Sequence, residues 1–273
     1  MKNNRQSTGN RIIVPSVVFA IIVFVALGCN LSKFMKSANS TNSDSSDNRP
    51  TSTSGSVGAQ CNNPYYPVSP SLSRKYHVSY PKGMLSDRDY TESFSDFSGD
   101  TFTVNTDFNT VAAHIKWRCT PDGLLATQYN NSIDMKNSGG SVSVETLDSK
   151  GVTFPSADKW QTGEKWQAEY HISENVTTSG GKSIAGSKGA VTQDGEVLGT
   201  EEVKVPAGTF QAVKIKITSH VNLTMNIPGS SGVPMNITLE TTAWMAKDTG
   251  MVRSVTKMGD SGETTSELTS INK

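Results

Sequence analysis

Four histidines, His77, His114, His171 and His220, are the side chains of this 273-residue chain best placed by type to move protons near neutral pH. His114 adjoins Ile115 and is out of phase with Trp117, and His220 is in phase with Lys214 and Lys216. Successive side chains of a strand point to opposite faces, so all four are expected on the wet side. No two stand as HxH or HxxxH, the spacing that starts a metal site, and neither a metal nor another cofactor is expected. Paired carboxylates could hydrolyse a glycoside. Asp87 and Asp89 lie in a polar, turn-like stretch, and Glu201 and Glu202 are neighbours pointing to opposite faces, so neither pair is expected to converge. Serine is abundant without a GxSxG elbow, and P-loop, dinucleotide and EF-hand patterns are missing. Asp248-Thr249-Gly250 and Asp260-Ser261-Gly262 read as hairpin turns. A non-enzyme is therefore expected, with a hydrolase of unrecognised site as the catalytic alternative. Of the tryptophans, Trp117 and Trp166 share the apolar parity of their runs, whereas Trp244 is out of phase with Ile237 and Leu239 and is the candidate exposed aromatic.

The three cysteines carry the other reactive chemistry. Cys29 ends an apolar run from Ile12 to Leu27 that follows Lys2, Arg5 and Arg11 with no acid. The run through residue 28 would span about 26 Å as a helix, slightly short for a bilayer. Its unbroken core, Val17 to Leu27, has signal-peptide length. Ala26-Leu27-Gly28-Cys29 resembles a lipobox, in which a small residue precedes a cysteine whose thiol takes a diacylglycerol before cleavage. Lys33 and Lys36 oppose translocation and support the rival reading, an uncleaved signal anchor. Either way the body is expected outside the cytoplasm. Cys61 and Cys119 remain, and in an exported chain one leftover pair reads as a disulfide, with a two-cysteine metal site as the alternative.

Composition sets further bounds. Removing the three N-terminal cations from 25 basic residues leaves 22 against 25 acidic, a charge of −3, with no basic stripe for nucleic acid. Residues 30–60 are mostly Ser, Asn, Thr and Asp and cannot bury enough surface to offset the entropy of ordering. The expected organisation is a signal peptide over 1–28, a tether over 29–60, and a β body divided into lobes at 61–150 and 151–273. The expected partners are the membrane, through the lipid, and an envelope protein or hydrophobic ligand.

The body reads as all-β, antiparallel, an open barrel or sandwich. Phe102, Val104, Thr106 and Phe108 alternate with polar residues, as do Trp166 to Ile172, Val213 to Ile217 and Val221 to Ile227. Asp122-Gly123, Gly180-Gly181, Asp194-Gly195, Gly208 and Gly250 are turn signals, and Pro228 to Pro234 reads as a longer loop. Cys119 shares parity with Ala113, Ile115 and Trp117 and is expected to face the core. Tyr76-His77-Val78-Ser79 is echoed at Tyr170-His171-Ile172-Ser173, which suggests two related lobes.

Cys61-Asn62-Asn63-Pro64-Tyr65-Tyr66-Pro67, Trp117-Arg118-Cys119 with Asp122-Gly123-Leu124, Val205-Pro206-Ala207-Gly208-Thr209-Phe210, and Trp244 with Asp248-Thr249-Gly250-Met251-Val252 together make a pattern. With them the chain resembles a family of uncharacterised exported bacterial lipoproteins with a VPAGTF hairpin. The resemblance covers most of residues 61–258 and implies an envelope address and a β fold. Its motifs are structural, so it implies no catalytic residues.

Overall fold

The computed structural model describes residues 58, 61–82, 85–109, 111–129, 133–135, 141–177, 183–227, 230–259 and 262–273. Cys29, the apolar run and the tether lie outside them. The strands are β1 (Ser73–Ser79), β2 (Arg88–Ser98), β3 (Thr101–Asp107), β4 (Val111–Thr120), β5 (Gly123–Ala126), β6 (Ile133–Met135) and β7 (Ser141–Gly151). They continue as β8 (Phe154–Pro155), β9 (Lys165–Thr177), β10 (Ser183–Val205), β11 (Gly208–Ile227), β12 (Ser230–Ala246), β13 (Gly250–Met258) and β14 (Glu263–Asn272). A 3-10 turn at Ala157–Lys159 interrupts them, and the described residues contain no α-helix.

Alternation of β-branched and aromatic residues with polar ones builds these strands, one side of each meeting apolar neighbours. The described pairings are antiparallel, and the hydrogen-bonded order runs β3-β2-β1-β14-β13-β12-β11-β10-β9-β7-β6-β4. Because β3 also pairs with β4 along Thr101–Asp107, the order returns to its start and the sheet wraps as a barrel. It is an open barrel. At β6 the ladder shrinks to two residue pairs on either side, Val111 and Ala112 of β4 and Val142 and Ser141 of β7. Beyond β6 side chains bridge the seam: Tyr129 N donates to Thr146 Oγ1 at 2.8 Å and Ala126 N to Thr153 Oγ1 at 2.9 Å.

Three local expectations change. The runs at 213–217 and 221–227 are one strand, β11, because Ser219 keeps the same phase between them. Asp194-Gly195 makes no turn and lies inside β10, where the glycine serves close approach: a Cβ on Gly195 would sit 2.1 Å from Trp166 Cε2. Ser230 to Pro234 belong to β12, so the expected loop there is shorter. The stretches 61–150 and 151–273 share one sheet, since β7 ladders with β9 and β1 with β14.

Before β1, residues 61–72 pack across one end of the barrel. Cys61 is bridged to Cys119 of β4, and both are buried with Trp117. Tyr65 stacks on Trp160 at 4.7 Å, and Tyr66 lies against Trp117 at 5.3 Å and Phe154 at 5.0 Å. Asn63 Nδ2 donates to Pro155 O at 2.9 Å, and Asp248 N donates to Pro64 O at 2.7 Å.

The start of β1 places Arg74, 0% exposed, at the centre of this end. Its Nε donates to Thr249 O at 2.7 Å, one terminal nitrogen to Pro67 O at 2.6 Å and the other to Glu92 of β2. The guanidinium also lies 5.5 Å and 5.2 Å from the ring centroids of Tyr66 and Phe94. Burying an ion costs several kcal/mol, but charge-assisted bonds at about 1.5–3 kcal/mol each, with cation–π contacts, offset it while all partners stay in place. Gly250 leaves room for the group: φ is +94°, and a Cβ would fall 2.8 Å from Arg74 Cζ.

Arg74→Met should therefore cost about 3–5 kcal/mol in urea denaturation, by stranding Glu92 and two carbonyls; a loss below about 1 kcal/mol would show the cage to be incidental. Replacing Cys61 and Cys119 together by alanine should cost about 4 kcal/mol, given the separation of 58 residues.

Candidate functional site

The end opposite the aromatic plug is lined differently. Cross-strand register sets Val144, Glu174, Ser187 and Met225 in one row over β7, β9, β10 and β11. Gln193, Ser219, Leu239 and Met258 make a second, and Thr241, Thr256 and Thr264 a third. Met225 and Ala243, which lie in phase with these rows on β11 and β12, belong to the main apolar cluster, so the rows face the interior. Several interior hydroxyls satisfy one another. Gln193 Nε2 donates to Ser219 Oγ at 3.3 Å, Thr241 and Thr256 bond at 2.9 Å, and Tyr90 and Ser266 bond at 3.3 Å.

Glu174 is the carboxylate of the first row. It is 6% exposed and accepts a hydrogen bond of 2.8 Å from Ser187 Oγ, itself buried. Among the described residues no cation pairs with it. Burial raises its pKa above the ordinary glutamate value, and the Ser187 bond offsets part of the rise. A carboxyl group here can present both a proton and an acceptor oxygen to the interior. Sequence reading missed Glu174 although a signal existed. It continues the inward phase of Trp166, Ala168, Tyr170 and Ile172, and a carboxylate on an apolar parity is the mark of a buried acid. Arg74 stands in the same relation to Tyr76 and Val78.

The residues singled out from sequence do not come together. His77, His114, His171 and His220 are each at least partly exposed and each bonds across to a neighbouring strand. The echoed pair is geometrically alike: His77 Nδ1 meets Asp89 Oδ1 at 2.7 Å, and His171 Nδ1 meets Asp148 Oδ1 at 2.7 Å. Among the described residues no group of three His, Cys, Asp or Glu side chains could hold a metal ion. Asp87 Oδ1 accepts from Tyr80 N, Glu202 is exposed, and Asp248 is a turn residue at φ +57°. Asp260 and Ser261 lie outside the described residues.

Trp244 corrects an expectation. It does face away from Ala243 and Met245, but it is only 8% exposed. The β10–β11 hairpin turns at Pro206-Ala207 and packs against it, contributing Val203, Val205 and Ala212 to a second small core with Val252 and Leu268. Ala207 N donates to Leu268 O at 3.0 Å. Lys214 and Arg253 each approach the indole ring to 5.3 Å, and the indole N–H donates to Glu201. That bond, with Lys214 nearby, holds the Glu201 carboxylate below its ordinary pKa. Parity alone could not foresee a hairpin folding back over the outer face.

The described residues thus form an open antiparallel barrel, plugged at one end and lined with hydroxyls and a buried acid at the other. A model of the DUF3108-like family matches residues 101–266, and the chain belongs to that family. No curated protein matches it. Among solved structures, a Bacteroides fragilis chain with a YmcC-like fold, assigned as exported, is 15% identical, with TM-score 0.41 over 76% of this chain and 98% of its own. A Parabacteroides distasonis chain assigned as a lipoprotein is 15% identical, with TM-score 0.43 over 77% and 99%. The Escherichia coli chain assigned as lipoprotein YmcC is 9% identical, with TM-score 0.32 over 73% and 84%.

The Glu174 environment sets a pH dependence of stability. Its folded pKa is raised, so as pH climbs from about the unfolded carboxylate value near 4.3 the unfolded chain releases the proton first. Stability should fall through that window and level off above the folded value. Glu174→Gln should flatten this limb and raise stability at pH 8, as measured by urea denaturation at several pH values; an unchanged profile would show that the site carries no such penalty.

Proposed function

We propose that this chain is a membrane-anchored extracytoplasmic lipoprotein, held by a diacylglycerol on Cys29, whose β body binds and does not catalyse. The observation that carries the reading is the Cys61–Cys119 bridge. It consumes two of three cysteines and suits an oxidising compartment, which leaves Cys29 as the thiol for export chemistry. The apolar run before Cys29 and the polar tether after it agree. The VPAGTF hairpin is a structural cover for Trp244 in this reading, and the exposed, scattered histidines and carboxylates support a non-enzymatic role.

A second, finer reading is favoured by the barrel itself. Eight strands enclose an interior that side chains just fill, or one small ligand. Here twelve strands close the order through the β3–β4 pairing, and short hydroxyl side chains line much of the end opposite the plug. A carrier of a lipid, its apolar chain against Ile172, Leu223, Met225 and Met235 and its polar part among the hydroxyls, fits that lining.

Cys29→Ala should move the protein from the membrane pellet to the soluble fraction after cell lysis. Continued sedimentation with membranes that resists carbonate washing would favour the uncleaved signal anchor instead. For the carrier reading, native mass spectrometry of the purified protein should find a bound lipid mass, and uniformly apo spectra after export would reject it.

A further inference from the structure

Glu174 is an expensive residue to keep inside a barrel. An isolated buried carboxyl with no cation costs several kcal/mol in ionised form, and leucine at the same position would face Val144 on the adjacent strand without that cost. Nothing in the fold requires it: unlike Arg74 it joins no separate segments, and its described partner, Ser187, is on the adjacent strand. The rows around it combine this polar pair with Ile172, Leu223, Met225 and Met235, and methionine adapts to apolar chains of varied shape. The pair lies at the end away from the plug, where the buried polar groups, Arg74 and Asn63, are taken up by bonds that join separate segments. A few placed polar groups within an apolar lining are how a small-molecule site fixes orientation.

We infer that the Glu174–Ser187 pair is the head-group site of an interior ligand that has an apolar chain and an uncharged hydrogen-bonding head, such as a hydroxyl, ester or amide. The inference rests on the carrier reading and narrows it to a ligand class. A carboxyl that accepts from Ser187 keeps a second oxygen for the ligand and can donate when protonated. An anionic head is disfavoured, because two carboxyl groups at one site cannot both ionise cheaply.

The test titrates 1-monooleoylglycerol and oleate into the purified, disulfide-intact full chain, with displacement of a fluorescent apolar probe as the signal. The wild type should bind monooleoylglycerol at least about tenfold tighter than oleate at pH 7.5. Glu174→Leu should weaken monooleoylglycerol about tenfold, the worth of a lost buried hydrogen bond. Glu174→Gln should keep monooleoylglycerol within about twofold and tighten oleate by removing the repulsion. Thermal unfolding of both variants confirms that they fold. If the wild type binds both lipids and the two variants change neither, the head-group assignment is overturned while the carrier reading stands. If the wild type displaces the probe with neither lipid and native spectra are apo, the carrier reading itself fails.

Discussion

The guanidinium of Arg74 holds together segments that the backbone ladders leave separate. Its donors reach Pro67 O in the plug, Thr249 O in the β12–β13 turn and the Glu92 carboxylate on β2, while Tyr66 and Phe94 flank its plane. A neutral side chain of that size could not bind three separated acceptors at once. The arrangement explains several otherwise unrelated residues. Gly250 has no Cβ because Arg74 occupies the space, and the plug keeps Pro67 where its carbonyl can accept. The Cys61–Cys119 bridge then ties the start of the plug to β4.

The two ends of the barrel obey opposite rules. At the plugged end large rings fill the space: Phe102, Trp117, Phe154 and Trp160 stack in a continuous chain that Tyr66 joins beside Trp117 and Phe154, and buried aromatic pairs add to the area they remove from water. At the other end hydroxyls, methionines and one acid face inward, and hydroxyl pairs satisfy themselves across strands. A barrel built only for stability would carry branched aliphatic residues there. Outside the wall, the β10–β11 hairpin buries Trp244 under basic side chains and makes a second core that stiffens β12 to β14.

Alternation made strand identity legible, because the period-two pattern of Phe102 to Phe108 or Val213 to Ile217 has a single geometric meaning. It also placed Cys119 and Trp117 in the core and the histidines outside. It failed where a residue answered to something distant in sequence. Gly195 looked like a turn because glycine is usual there, but its role is to lie beneath Trp166. Glu174 and Arg74 stand at apolar-phase positions that the register places inside the barrel.

By itself, then, the sequence determined the class of element, the antiparallel habit and the buried cysteine pair, since each follows from local pattern or from residue counting. Tertiary structure alone decided which strands meet, that both halves share one sheet, that Trp244 is covered, and that a carboxyl group faces the interior. Those outcomes depend on partners tens to hundreds of residues away, such as Arg74 with Thr249 or Trp244 with Glu201. No local propensity encodes such distances; they are selected by which closure buries the aromatic rings and still satisfies the ions.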